Sequence, residues 1–246
     1  MESQTDRTTA AEASSTSGGE ALLASPRHTV ILLLILAAVT LAGVTLTRGR
    51  APGTGAGVSS RVPLYLSIAV GEWALVYYVW VALKHRSLSL RELIRPRGST
   101  VRAWAIDLLI AGVFWGAARI VLLGVGSALG ISTRPQSVQT LLPRTTPEIV
   151  TFLFLAVTAG FCEEVVYRGY LQRQFTVLLR NPWLAIVAQA LIFGLSHAYQ
   201  GIRLVAVIFV YGTLFGLLAA LAKSLRPGIL AHAWQDIFSG VLSMRL

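Results

Sequence analysis

Long apolar runs separated by short polar stretches make up most of the chain, at about 29–47, 63–83, 103–128, 149–172, 183–200, 202–222 and 228–244. A helix needs roughly 20 mainly apolar residues to cross a bilayer, and several of these runs approach that length. The pattern predicts an all-α polytopic membrane protein with about seven, or eight, transmembrane helices. The last run is short, and the fifth and sixth nearly touch. Residues 1–27 are rich in Ser, Thr, Ala and Glu without apolar periodicity, which reads as a disordered polar tail. They lack the positive start of a signal peptide. Stretch 48–61 is a flexible Gly/Ser linker. Stretch 84–102 holds a short amphipathic surface helix ending near Pro96. Thr146-Pro147-Glu148 reads as a helix start, with a cap, a first-turn proline and an acid at the positive end.

Composition narrows the class. Of 246 residues, 54% are hydrophobic and 13% charged, against roughly 25% charged in soluble domains. The net charge of +10 sits mostly in short loops, where lipid headgroups and the positive-inside rule account for it. No basic nucleic-acid-binding motif is present, so nucleic acid is not an expected partner. Arg7, Arg27, Lys84, Arg86, Arg91, Arg95, Arg97, Arg102, Arg173, Arg180, Lys223 and Arg226 fall on one side of the predicted spans. Arg48, Arg50, Arg61, Arg134, Arg144, Arg203 and Arg245 fall on the other. Twelve against seven favours a cytoplasmic N-terminus. The single cysteine, Cys162, excludes an intrachain disulfide and reads as a small buried residue.

The fourth run carries Phe161-Cys162-Glu163-Glu164-Val165-Val166-Tyr167-Arg168. Charged residues at membrane depth cost about 2.5–3.5 kcal/mol each on insertion scales, so they persist when paired, hydrated or functional. Glu164 and Arg168 lie one helical turn apart and face the same way. Glu163 is turned about 100° from Glu164, free to face a cavity. Two later runs supply Phe193-xxx-His197 and His232-xxx-Asp236. An acid one turn after a histidine can accept its ring N–H and fix the tautomer. Glu72 and Arg119 read as a structural pair, with Asp107 nearby in the third run. Gly212 and Gly216 form a GxxxG that reads as close helix packing.

Together, Glu163-Glu164-xxx-Arg168, Phe193-xxx-His197 and His232-xxx-Asp236 resemble the CPBP family of intramembrane proteases, which includes the type II CAAX prenyl endopeptidases and bacteriocin-processing or immunity proteins. The resemblance covers about 147–241. It divides the chain into the tail at 1–27, N-terminal transmembrane helices and basic loops at 28–146, and a catalytic membrane core at 147–246. It implies a helical membrane fold around a hydrophilic intramembrane cavity, and endopeptidase action on a membrane-associated peptide or protein. By position, Glu163 resembles the general base that activates water, with His197 assisting. His232 and residue 236 resemble the oxyanion-stabilising pair, and Glu164 and Arg168 their support. The family usually has Asn at 236. The Asp here cannot donate to an oxyanion when ionised. A second mechanism has His197, His232 and Glu163 bind a zinc ion. The metal-free mechanism is preferred. A catalytically silent immunity or scaffold protein is one alternative function. A proton-coupled transporter is another, though no inverted repeat accompanies it. The resemblance and the short chain point to a bacterial plasma-membrane protein.

Seven straight spans would leave Glu163 mid-span, His197 near the outer end of the fifth and His232 near the inner start of the seventh. Those depths cannot form one site. A span must be broken or tilted, and Pro182 and Tyr199-Gln200-Gly201 are the candidate places.

Overall fold

The computed structural model describes residues 22–48, 60–131, 136–139 and 141–241. Most of the expected tail and linker lies outside these residues. Seven main helices follow one another: α1 (Pro26–Arg48), α2 (Val62–Lys84), α3 (Val101–Ala128), α4 (Thr146–Leu179), α5 (Pro182–Ser196), α6 (Ile202–Ala222) and α7 (Arg226–Gly240). A one-turn surface helix, Leu90–Ile94, lies in the basic stretch after α2. There is no strand among the described residues. The protein is an all-α polytopic membrane protein.

Five helices are long and apolar enough to cross a bilayer: α1, α2, α3, α4 and α6. The predicted spans at 183–200 and 228–244 are shorter than expected. α5 and α7 have 15 residues each, or about 22 Å, against a hydrocarbon core of roughly 30 Å. α4 takes up the difference, with 34 residues running about 51 Å. Val30, Leu34, Leu41 and Leu46 of α1, Trp73 and Tyr77 of α2, and Leu109, Val113 and Ile120 of α3 face outward. In water such a belt would be an aggregation surface; in a bilayer it meets lipid.

The start of α4 is set one residue earlier than the sequence suggests. Thr145 is the cap, and Pro147 lies in the first turn. The Glu148 carboxylate accepts from the backbone N–H groups of Arg61 (2.9 Å), Arg144 (2.8 Å) and Thr145 (3.3 Å). One side chain thus fixes the start of α4 against the start of α2. At the other end of the bundle, Asp107 of α3 pairs with Arg97 and with Arg226 (3.1 Å), whose guanidinium also lies 4.1 Å from the Trp104 ring. Gln174, fully buried on α4, accepts from Leu23 N–H (2.9 Å) and donates to the Ala24 carbonyl (2.8 Å). Gln174 holds the chain entering α1 against α4, and Asp107 holds the start of α7 against α3.

α4 packs closely on α7 because Gly160 presents no side chain. A Cβ there would lie 2.8 Å from the Ala233 nitrogen and 3.0 Å from the Ile229 carbonyl oxygen. Gly212 of α6 lies similarly close to Ala190 of α5, and Gly216 to Gln189, so the GxxxG serves helix packing.

Candidate active site

The long α4 and short α5 bring the polar residues to one level. From Glu163 down to Leu179, α4 descends about 24 Å. The chain turns at Arg180, whose backbone is left-handed (φ 51°), and Asn181 caps α5 by accepting from Trp183 and Leu184 N–H. α5 then climbs about 22 Å and stops at Ser196, returning His197 to the height of Glu163. A 3-10 turn at Ala198–Gln200 and Gly201 (φ 107°) redirect the chain into α6 at that depth. The depth conflict is resolved at Pro182 and at the Tyr199-Gln200-Gly201 break. Within α4, Glu164–Gln172 is wound as a π-helix, and all nine of its residues are buried. Such segments are rare and cluster at functional sites.

Glu163 faces both histidines. Its Oε1 lies 3.9 Å from His197 Nε2 and its Oε2 3.4 Å from His232 Nε2. The separation to His197 exceeds a direct hydrogen bond and is one that a bridging water spans. The Phe193 carbonyl accepts from His197 Nδ1–H at 2.9 Å, which leaves Nε2 of the neutral ring as an acceptor toward Glu163. Glu164 turns the opposite way. It pairs with Arg168 at 2.8 Å and accepts from His232 Nδ1–H at 3.1 Å. Arg168 in turn donates to the Gly212 carbonyl (3.3 Å) and lies over the rings of Phe193 (4.4 Å) and Phe215 (5.3 Å). Both members of that pair are about 1% exposed, whereas Glu163 and His197 side chains are each 18% exposed.

Glu164 is thus the hydrogen-bond partner of His232, in place of the Asp236 expected from spacing. Asp236 lies 3.9 Å from Nε2. Glu72 and Arg119 do not pair. Arg119 lies over the rings of Trp115 (5.4 Å) and Phe238 (4.1 Å). Glu72 lines the same cavity as Glu163, His197, His232 and Asp236, and its Oε2 is buried without a hydrogen-bond partner. The cavity encloses about 580 Å³. Its wall also includes Tyr211, 8% exposed, whose hydroxyl is buried without a partner; its ring centroid is 5.5 Å from that of His232. Neither Glu72 nor Tyr211 stands in a motif. Glu72 was legible as a carboxylate at membrane depth, but nothing in the sequence distinguishes Tyr211 from a packing aromatic.

Zinc sits about 2.0–2.2 Å from nitrogen and carboxylate ligands. Among the described residues no group of three His, Cys, Asp or Glu side chains is arranged to hold a metal ion. Glu163 nevertheless turns one oxygen toward each of the other two candidate donors, at 3.4 Å from His232 Nε2 and 3.9 Å from His197 Nε2.

Residues 145–238 match the family model described as Type II CAAX prenyl endopeptidase Rce1-like. This bears out the motif resemblance over the segment carrying Glu163, Glu164, Arg168, His197, His232 and Asp236. The match leaves α1, α2 and α3 outside it. No curated protein and no solved structure matches the chain.

Proposed function

We propose that the chain is an intramembrane endopeptidase that hydrolyses a peptide bond of a membrane-associated protein or peptide with water activated by Glu163. The observation that carries this reading is Glu163, on the wall of a cavity, with an oxygen facing each histidine. Glu163 takes a proton from water as the hydroxide oxygen bonds to the scissile carbonyl carbon. His197 Nε2 holds the water and carboxylate in register. The carbonyl oxygen gains the negative charge. Glu163 then passes the proton to the departing amine as the C–N bond breaks.

Developing oxyanions require preorganised donors. His232, its Nδ1 held by Glu164, offers Nε2–H when protonated. An ionised Asp236 accepts only, and at 3.9 Å from Nε2 it acts on a protonated His232 through its charge. We assign the second donor to the unpartnered Tyr211 hydroxyl, which takes the part that an Asn at 236 would play.

The test is the set of new peptide ends in membranes of cells expressing the full chain or His197→Ala at equal levels. Ends that vanish in the variant support hydrolysis. Identical sets, with the protein folded in both, overturn it.

A further inference from the structure

The catalytic cavity lies on one side of the site only. Its wall draws on Tyr65 and Ile68 at the start of α2, Leu122 near the end of α3, Phe152 at the start of α4, Val207 in the first half of α6 and Ser239 at the end of α7. Each belongs to the half of its helix that lies away from the surface helix Leu90–Ile94. On the other side of Glu163 the fold is packed shut. Val165, Val166, Tyr170 and Leu171 of α4, Leu83 of α2 and Phe215 of α6 are each at most 1% exposed.

The closed side is the basic one. Backbone and side-chain bonds gather its loops together: Leu225 N–H to the Ile94 carbonyl (2.9 Å), Arg226 to the Gly98 carbonyl (2.7 Å) and Arg173 to the Glu92 carbonyl (3.1 Å). Lys84, Arg86, Arg91, Arg95, Arg97, Arg180 and Lys223 lie in these same loops and helix ends. In the loops and helix starts on the cavity side the described basic residues with a described side chain are Arg61, Arg144 and Arg203, and Arg119 lies within the same half of α3. Short basic loops stay in the cytoplasm. Non-helical backbone at membrane depth is tolerated where it lines a cavity, and the Ala198–Gly201 turn lies on the cavity side.

We propose that the site is served from the non-cytoplasmic face. Its substrate is a membrane-anchored peptide or protein whose scissile segment is apolar, free of acidic side chains and presented on that face. The walls are largely apolar, their carboxylates are Glu72, Glu163 and Asp236, and among the described residues no Lys or Arg lines them. An acidic side chain entering this cavity would meet three carboxylates, with two histidines alone to offset them. A C-terminus presented in the cytoplasm would meet the packed side of the bundle. The substrate class rests on the endopeptidase reading; the side of access does not.

Single cysteines placed in the full chain carrying Cys162→Ala test the side. Arg144→Cys marks the cavity side, Arg91→Cys the basic side and Gln200→Cys the cavity itself. A membrane-impermeant maleimide added to intact spheroplasts of a bacterial host is expected to label Gln200→Cys and Arg144→Cys. Arg91→Cys is expected to label only after lysis. Should Gln200→Cys fail to assemble, Ser239→Cys on another wall gives the same readout. Labelling of the cavity cysteine only after lysis, or in neither state, overturns the proposal. Labelling is independent of hydrolysis, so its failure is distinguishable from failure of the endopeptidase reading.

Discussion

Gly160 gives a test of how tightly the fold holds its chemistry. It has no direct part in the proposed reaction, yet it sets the distance between the helix carrying Glu163 and the helix carrying His232. In Gly160→Ala the new methyl group would lie 2.8 Å from the Ala233 nitrogen, about 0.6 Å inside the 3.4 Å at which ordinary contact begins. Backbone cannot swing aside as a side chain does, so α7 must shift by roughly that amount. His232 is the residue before Ala233 and moves with it, opening the 3.4 Å approach to Glu163. A 1 Å misplacement at a reacting centre costs about 100-fold in rate, so half that displacement should cost about 10-fold. Overpacking should add about 1–3 kcal/mol of destabilisation. Gly124→Ala on α3 is the control, since no atom lies within 4 Å of the added carbon. Both variants would be compared for cleavage rate at equal folded amount, and for thermal unfolding in detergent. A Gly160→Ala protein with undiminished cleavage would refute the link between helix spacing and site geometry.

Other substitutions separate stability from chemistry. Arg168→Ala leaves the buried Glu164 carboxylate without its guanidinium and with His232 alone as partner, so it should destabilise the fold by about 3–5 kcal/mol, read as a fall in unfolding temperature; unchanged stability would remove Arg168 from its supporting role. Tyr211→Phe removes one hydroxyl and should lower kcat by about 10²-fold or more with little change in KM, whereas unchanged kcat would dismiss the oxyanion assignment. Asp236→Asn adds a donor beside His232 and should raise kcat; a fall would show that the carboxylate itself is needed.

The fold class was legible because apolar runs of span length tolerate few alternatives. The separate orientations of Glu163 and Glu164 followed from helix geometry alone, even though the backbone after Glu163 proved to be π-wound. Helix length was less legible. The apolar run from 183 to 200 reads as one span, but the chain breaks at Ser196 because a 3-10 turn can line a cavity at that depth. The partner of His232 was misread for a related reason. Local i, i+4 spacing points to Asp236, while the close α4–α7 approach at Gly160 brings Glu164 nearer. Glu72 and Tyr211 join the cavity through contacts distant in sequence, and no local pattern announces those.

The central claim is that Glu163, held between His197 and His232, activates water. Its most direct measurement is quantitative mapping of peptide ends in membranes from cells expressing the full chain or Glu163→Gln. Equal expression and matched unfolding temperatures keep the comparison chemical. The account predicts new ends with the unaltered chain that disappear in Glu163→Gln, because the amide cannot accept the proton from water. Ends that persist in Glu163→Gln would contradict the assignment.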